Sequence, residues 1–215
     1  MVGFGGNNTA EVIAHIKSAN FDGIDAILSV VPYYNKPTQE GLYRHFMALA
    51  QVCPVPIILY NVPSRTGVNL SSETTLRLAN DSKKFIGIKE ASGDIKQIKN
   101  IIDNTPDEFL VLSGDDAMIE PIAQVGGNGV ISVMANAFPA QVVELANKAL
   151  QKDPEAKVLQ QKYADLINLL FVEGNPAGVK AALHQMKYIE NILRLPLCPV
   201  GEITYNEIAE QIKSL

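Results

Sequence analysis

A lysine at the end of a β-branched run is the residue in this chain most able to do covalent chemistry. It is Lys89 in the stretch FIGIKEASG, Phe85 to Gly93. Exclusion of water favours the neutral form of an amine, and a neutral amine is the nucleophile that condenses with a ketone to a Schiff base. Strand alternation predicts Phe85, Gly87 and Lys89 on one face and Ile86 and Ile88 on the other. Lys89 then projects beside Phe85, over the gap left by Gly87. Taken alone, the ordinary account of Lys89 is a strand meeting water, because lysine is seldom fully buried. Other apolar runs end on further reactive types: Tyr33 and Tyr34, then Tyr60 with Arg65, then Asp115 with Asp116, and the backbone near Ile131. A tyrosine can relay protons, and the planar fork of an arginine meets a carboxylate bidentately. The two aspartates read as turn and capping residues. Each residue has a plain explanation by itself; a lysine, a tyrosine and an arginine at successive run ends form a coherent set.

The elements that must position them form a repeat. Val2 to Phe4 read as the tail of a strand, and Gly5 and Gly6 as a tight turn into a helix capped at Asn8 or Thr9. Those glycines are not a dinucleotide fingerprint, because Asn8 stands where the last glycine belongs. Apolar runs at Ile24 to Val31, Pro56 to Tyr60, Phe85 to Lys89, Phe109 to Ser113 and Gly129 to Val133 alternate with helical spacing. The helices fall at 39–51, 72–80, 95–103, 118–125 and 139–150. Continuous apolar strands between amphipathic helices predict a parallel sheet built of βα units. A (β/α) barrel is the natural closure, and a doubly wound open sheet is the alternative. From Pro154 the strands stop; 160–171, 176–188 and 205–214 read as helices around the Pro-punctuated LRLPLCPV. The expected division is a partial barrel over 1–153 and a C-terminal helical region over 154–215.

Composition narrows the function. With 215 residues, 47% hydrophobic, the chain suits one large globular domain. A net charge of -5 argues against nucleic acid or an acidic membrane as partner. No apolar run is long enough to span a bilayer, and no export signal is seen at the start. Cys53 and Cys198 lack CxxC spacing and fit the reducing cytoplasm. His15, His45 and His184 lack ligand spacing, so no metal is expected.

The joint pattern resembles a known family. LYNVPSRTG (Leu59 to Gly67) followed by GIKEASGD (Gly87 to Asp94) is similar to the 4-hydroxy-tetrahydrodipicolinate synthases, formerly dihydrodipicolinate synthases, within the pyruvate-dependent class I aldolases. The likeness runs on through VVPYYNKPTQEGLYRHF, LSGDDA, GGNGVISV, FVEGNPAGVK and LRLPLCPV. It implies condensation of pyruvate with aspartate semialdehyde toward diaminopimelate and lysine, without a cofactor, in a homotetramer built from tight dimers. It further implies Lys89 as the Schiff-base lysine, Tyr60 as proton relay, and Tyr34 as a relay tyrosine lent across the dimer interface. Arg65 would receive the semialdehyde carboxylate, and Ile131 would lie in a strand whose backbone adjoins the lysine. Asn7, Glu11 and Tyr33 would belong to an interface pocket where lysine inhibits some members.

The family pattern has two further βα units before the first strand seen here, the second carrying Gly-Thr-Thr-Gly-Glu. The Thr74-Thr75 pair lacks the flanking glycines and reads as helix. The expectation is therefore an amino-terminally truncated (β/α)8 barrel with a C-terminal helical extension, poorly active as an isolated chain. N-acetylneuraminate lyase and the keto-deoxy sugar-acid aldolases share the barrel and the lysine; Arg65 favours the semialdehyde enzyme over both. A non-catalytic oligomerisation or regulatory subunit is the alternative of another class, and retention of Lys89, Tyr60 and Arg65 opposes it.

Overall fold

A computed structural model describes residues 1–215 and divides them into two compact units. The first comprises Met1–Gly114 and Gln124–Ile131; the second comprises Asp115–Ala123 and Ser132–Leu215. The first holds β1 (Val2–Gly3), α1 (Thr9–Ser18), β2 (Ile27–Val30), α2 (Gln39–Val52), β3 (Ile57–Asn61), α3 (Pro63–Thr66), α4 (Ser72–Asp81), β4 (Phe85–Glu90), α5 (Ile95–Asn104) and β5 (Leu110–Ser113). After α6 (Ile119–Gln124) comes β6 (Gly129–Val130). Each strand pairs in parallel with the next, giving a six-stranded sheet in sequential order with β1 and β6 at its edges.

Side-chain caps set where the helices of this unit begin. Asn8, Thr38, Ser71 and Asp94 each accept a backbone N–H of the first turn of α1, α2, α4 and α5, satisfying donors the helix leaves unpaired. Each such cap contributes about 1 kcal/mol. The helices then pack in sequence, α1 on α2, α2 on α4 and α4 on α5. Beneath them one sheet face is closed: Ile27, Ser29, Ile57, Leu59, Asn61, Ile88, Glu90, Val111 and Ser113 are all 1% exposed or less. The other face is looser. Leu28, Val30, Tyr60, Lys89 and Leu112 are half-buried there, and Leu110 is exposed.

One strand departs from simple alternation. Ile57 pairs with Phe85, but its successor Ile58 pairs with Gly87, so Ile86 is an extra residue in β4. Such a bulge moves every earlier residue of the strand to the opposite face. Phe85 therefore sits on the helix face, edge-on to Phe46 of α2 at 6.4 Å, and not beside Lys89. Gly87 and Lys89 stay together on the looser face.

The second unit holds most of α6 and then α7 (Pro139–Leu150), α8 (Glu155–Lys162), α9 (Ala164–Phe171), α10 (Ala177–Gln185) and α11 (Glu202–Lys213). The helix expected over 160–171 is broken at Tyr163, which joins α8 to α9. α10 crosses α9 at a glycine: a Cβ on Gly178 would lie 2.4 Å from the Leu170 carbonyl oxygen. His184 and Tyr205, 2.6 Å apart, tie α10 to α11. The strand expected over 129–133 stops at Val130. The N–H groups of Val133 and Met134 turn instead to the Asp116 carboxylate, at 3.0 and 2.8 Å.

Candidate active site

Lys89 and Tyr60 are register partners at the carboxyl ends of adjacent parallel strands, so their side chains leave the sheet on the same face. The Lys89 Nζ lies 4.3 Å from the centroid of the Tyr60 ring. On the other side of β4, Lys89 pairs with Leu112. Room for the lysine chain comes from Gly114, where a Cβ would stand 3.0 Å from Lys89 Cγ and Cε. Burial pushes the Tyr60 phenol above its ordinary pKa, and the positive charge of Arg65 pulls the other way. A phenol is protonated at neutral pH in any case, and the net rise strengthens its hold on that proton.

Arg65 is placed by the short helix α3, which follows β3 directly. Pro63 starts it, and Gly67, with φ of 75°, ends it in the left-handed conformation that glycine adopts without strain. Arg65 is exposed. The neighbouring loop joins here, since Tyr34 N–H donates to the Thr66 carbonyl at 3.2 Å. Tyr34 has φ of 73° and is 87% exposed, so its ring faces solvent in this chain.

Tyr33 and Asn7 meet through the Asn7 amide, which donates to the Tyr33 carbonyl at 3.2 Å. Asn35 donates back to the Asn7 carbonyl at 2.9 Å. Glu11 lies in the first turn of α1 and accepts from Asn8, the residue that caps this helix. Ile131 follows β6 and donates its N–H to the Ser113 carbonyl at 2.9 Å, with β5 between it and the lysine strand. Thr74 and Thr75 are buried in α4, bonded to Gln39 and to the Ser71 carbonyl. Asp115 caps the turn that follows β5, whereas Asp116 is 1% exposed and burial pushes its carboxyl up.

Two residues behind the pair are not singled out by the sequence pattern. Glu90 and Asn61 follow Lys89 and Tyr60 and are fully buried on the helix face. The alternation that put Lys89 on one face also puts Glu90 on the other; that was the available signal. A carboxylate at a strand end ordinarily reads as solvated, which hid it.

A parallel βα sheet with a lysine and a tyrosine side by side at its strand ends belongs to the β/α class of proteins, which carry their chemistry at such ends, and that pair is the candidate centre. The comparisons give the family: the dihydrodipicolinate synthetase model matches residues 1–215, and the chain belongs to that family. It is 54% identical over 213 residues to the 4-hydroxy-tetrahydrodipicolinate synthase of Azobacteroides pseudotrichonymphae, covering 99% of this chain and 72% of that protein. The solved dihydrodipicolinate synthase of Thermotoga maritima superimposes with a TM-score of 0.95 at 42% identity, over 99% of this chain and 74% of that one. The enzyme of Acinetobacter baumannii, solved as a complex with pyruvate, gives a TM-score of 0.93 at 45% identity, over 99% and 73%.

Proposed function

We propose that this chain is a lyase that condenses pyruvate with L-aspartate 4-semialdehyde to 4-hydroxy-tetrahydrodipicolinate, on the route to diaminopimelate and lysine. The observation that carries the reading is the in-register pairing of Lys89 with Tyr60, with Nζ 4.3 Å from the ring. The neutral Lys89 amine attacks the pyruvate ketone carbon, and water leaves to give an imine. Tyr60 supplies the proton that makes the departing hydroxyl a leaving group, and then recovers one. The protonated imine withdraws electrons from the adjacent methyl, which loses a proton to form an enamine. The enamine carbon attacks the aldehyde of the second substrate, and that substrate's amino group displaces Lys89 from the imine carbon as the ring closes. Arg65, exposed beside this mouth, holds the second substrate's carboxylate.

The same reading covers assembly and surroundings. Six parallel strands in sequential order fit six consecutive units of a (β/α)8 barrel. Tyr34, held exposed in a left-handed conformation, is suited to enter a neighbouring copy's site in a homo-oligomer, a dimer of dimers. Asn7, Glu11 and Tyr33, close to that loop, are the candidate lysine-effector residues, and Ile131 the candidate backbone contact to substrate. Two unpaired cysteines suit the cytoplasm.

Borohydride trapping with pyruvate, followed by peptide mass mapping, tests the chemistry directly. A reduced adduct on Lys89, abolished in Lys89→Ala, is expected. A folded sample that gives no adduct would overturn the Schiff-base reading for this chain.

A further inference from the structure

A buried, hydrogen-bonded cluster of the first unit lies behind the lysine, on the helix face of the sheet. Asn61 and Glu90 are register partners, and both are 0% exposed. The Asn61 amide nitrogen stands 3.0 and 3.2 Å from the two carboxylate oxygens of Glu90. Ser92 N–H donates to one oxygen at 2.8 Å, and Gln97 Nε2 to the other at 3.2 Å. The Asn61 carbonyl accepts Leu70 N–H at 2.9 Å, which fixes the direction of its amide. Asn69 accepts from both Asn61 and Gln97, closing the cluster. Glu90 is thus met by donors alone, the set that a carboxylate requires. A buried carboxylate is costly even so, and a leucine would fill the volume more cheaply. The cluster therefore calls for a reason other than packing.

The reason lies in the strand pair it closes. β3 and β4 lose register once, at the Ile86 bulge, so alternation does not by itself dictate how their carboxyl ends align. A slip of one residue would turn Lys89 into the helix layer and Glu90 onto the site face. Only the observed register brings the Glu90 oxygens within reach of the Asn61 amide. That alignment also sets Tyr60 opposite Lys89, one residue earlier on each strand. The cluster reaches further, since Leu70 and Asn69 end the loop that carries Arg65, and Gln97 lies in the first turn of α5.

We propose that Glu90 is a positioning residue: its carboxylate, gripped by Asn61, Ser92 and Gln97, locks the register in which Tyr60 faces Lys89 and anchors the loop bearing Arg65. The proposal rests on the Schiff-base reading above. Burial pushes the Glu90 carboxyl above the ordinary range, while these donors hold it down.

The test uses the full chain with Glu90→Gln, which keeps the shape and replaces one acceptor by a donor facing other donors. The readout is the rate of pyruvate-dependent borohydride trapping at Lys89 per folded molecule, beside the far-ultraviolet spectrum and the unfolding midpoint. With native secondary structure retained, trapping is expected to slow about 10- to 100-fold, the loss that small misplacement of a reacting group brings. Adding Asn61→Asp, which returns a carboxylate to the pair from the other strand, should recover part of that rate. A merely structural role would lower the midpoint and leave the trapping rate of folded protein at the wild-type value; that result overturns the proposal while the Schiff-base reading stands. If Glu90→Gln does not fold, Gln97→Ala at its half-buried helix position gives the same test. It removes one donor and should slow trapping about threefold or more; an unchanged rate overturns the proposal. Absence of any wild-type adduct fails the Schiff-base reading itself, and the role of Glu90 with it.

Discussion

Lys89 is served by one neighbour chosen for its chemistry and one chosen for its lack of bulk. Tyr60 brings a phenol whose pKa burial raises, and Gly114 leaves the volume through which the lysine chain runs. Arg65 is different in kind, being exposed and carried on a four-residue helix rather than a strand. Its contacts in the proposed reaction are with the second substrate, beside the pull of its charge on the Tyr60 phenol. Arg65→Ala is therefore expected to leave pyruvate trapping at Lys89 near the wild-type rate. The same change should raise KM for the semialdehyde roughly 10- to 100-fold, the worth of a charge-assisted hydrogen bond of about 1.5–3 kcal/mol. Steady-state kinetics beside trapping would check this, and equal loss in both assays would remove the assigned role. The residues of the proposed chemistry were legible because reactive types at run ends stand out. Glu90 and Asn61 were not, because their significance lies in facing each other, and pairing across strands is not written in one strand's own pattern.

At the scale of elements, the six strands and the longer helices between them followed from apolar runs, caps and spacing, with bounds moved by a few residues, whereas the four-residue α3 carrying Arg65 did not. What period counting missed was the bulge. FIGIKE alternates well enough to be read as an unbroken strand, yet the structure inserts Ile86 and sends Phe85 to Phe46. By changing sides Phe85 gains a buried aromatic partner on the helix face. Gly87 next to it is fixed by β5, because a Cβ there would stand 2.5 Å from the Leu110 carbonyl oxygen. Gly93, by contrast, has φ of 74° and nothing within 4 Å of the position its Cβ would take. Two alanine substitutions then separate crowding from backbone strain. Gly93→Ala should cost about 1–2 kcal/mol, the left-handed penalty alone. Gly87→Ala must push apart two paired strands and should cost at least as much as the roughly 1–3 kcal/mol of an overpacked core. Urea unfolding of both variants measures the difference. A Gly87→Ala protein as stable as wild type would mean that β4 and β5 can separate without loss.

For the molecule as a whole, acid sensitivity turns on a histidine the proposed chemistry does not use. His45 of α2 is 5% exposed, edge-on to Phe46 at 5.1 Å, and its Nδ1 meets the Thr9 hydroxyl at 2.8 Å. Its Nε2 is buried without a hydrogen-bond partner, and burial lowers its pKa from 6.5 to about 4. The unfolded chain then binds a proton between those values that the folded chain refuses. Stability contributed by neutral His45 is complete above pH 6.5, falls as the pH drops, and is gone by about pH 4. Glu90 and Asp116 carry raised pKa values and act in the opposite sense, favouring the folded state below the ordinary carboxylate range and losing that contribution as pH rises. The net curve of wild type mixes these trends, so the clean measurement is a difference. Unfolding free energies of wild type and His45→Gln, compared from pH 7 to pH 4, should converge or cross by about 3 kcal/mol, since each pKa unit is worth 1.36 kcal/mol. A difference that stays constant over that range would mean that His45 takes up its proton in the folded protein as readily as in the unfolded chain. The packing against Phe46 and the unpartnered Nε2 would then have no influence on acid stability.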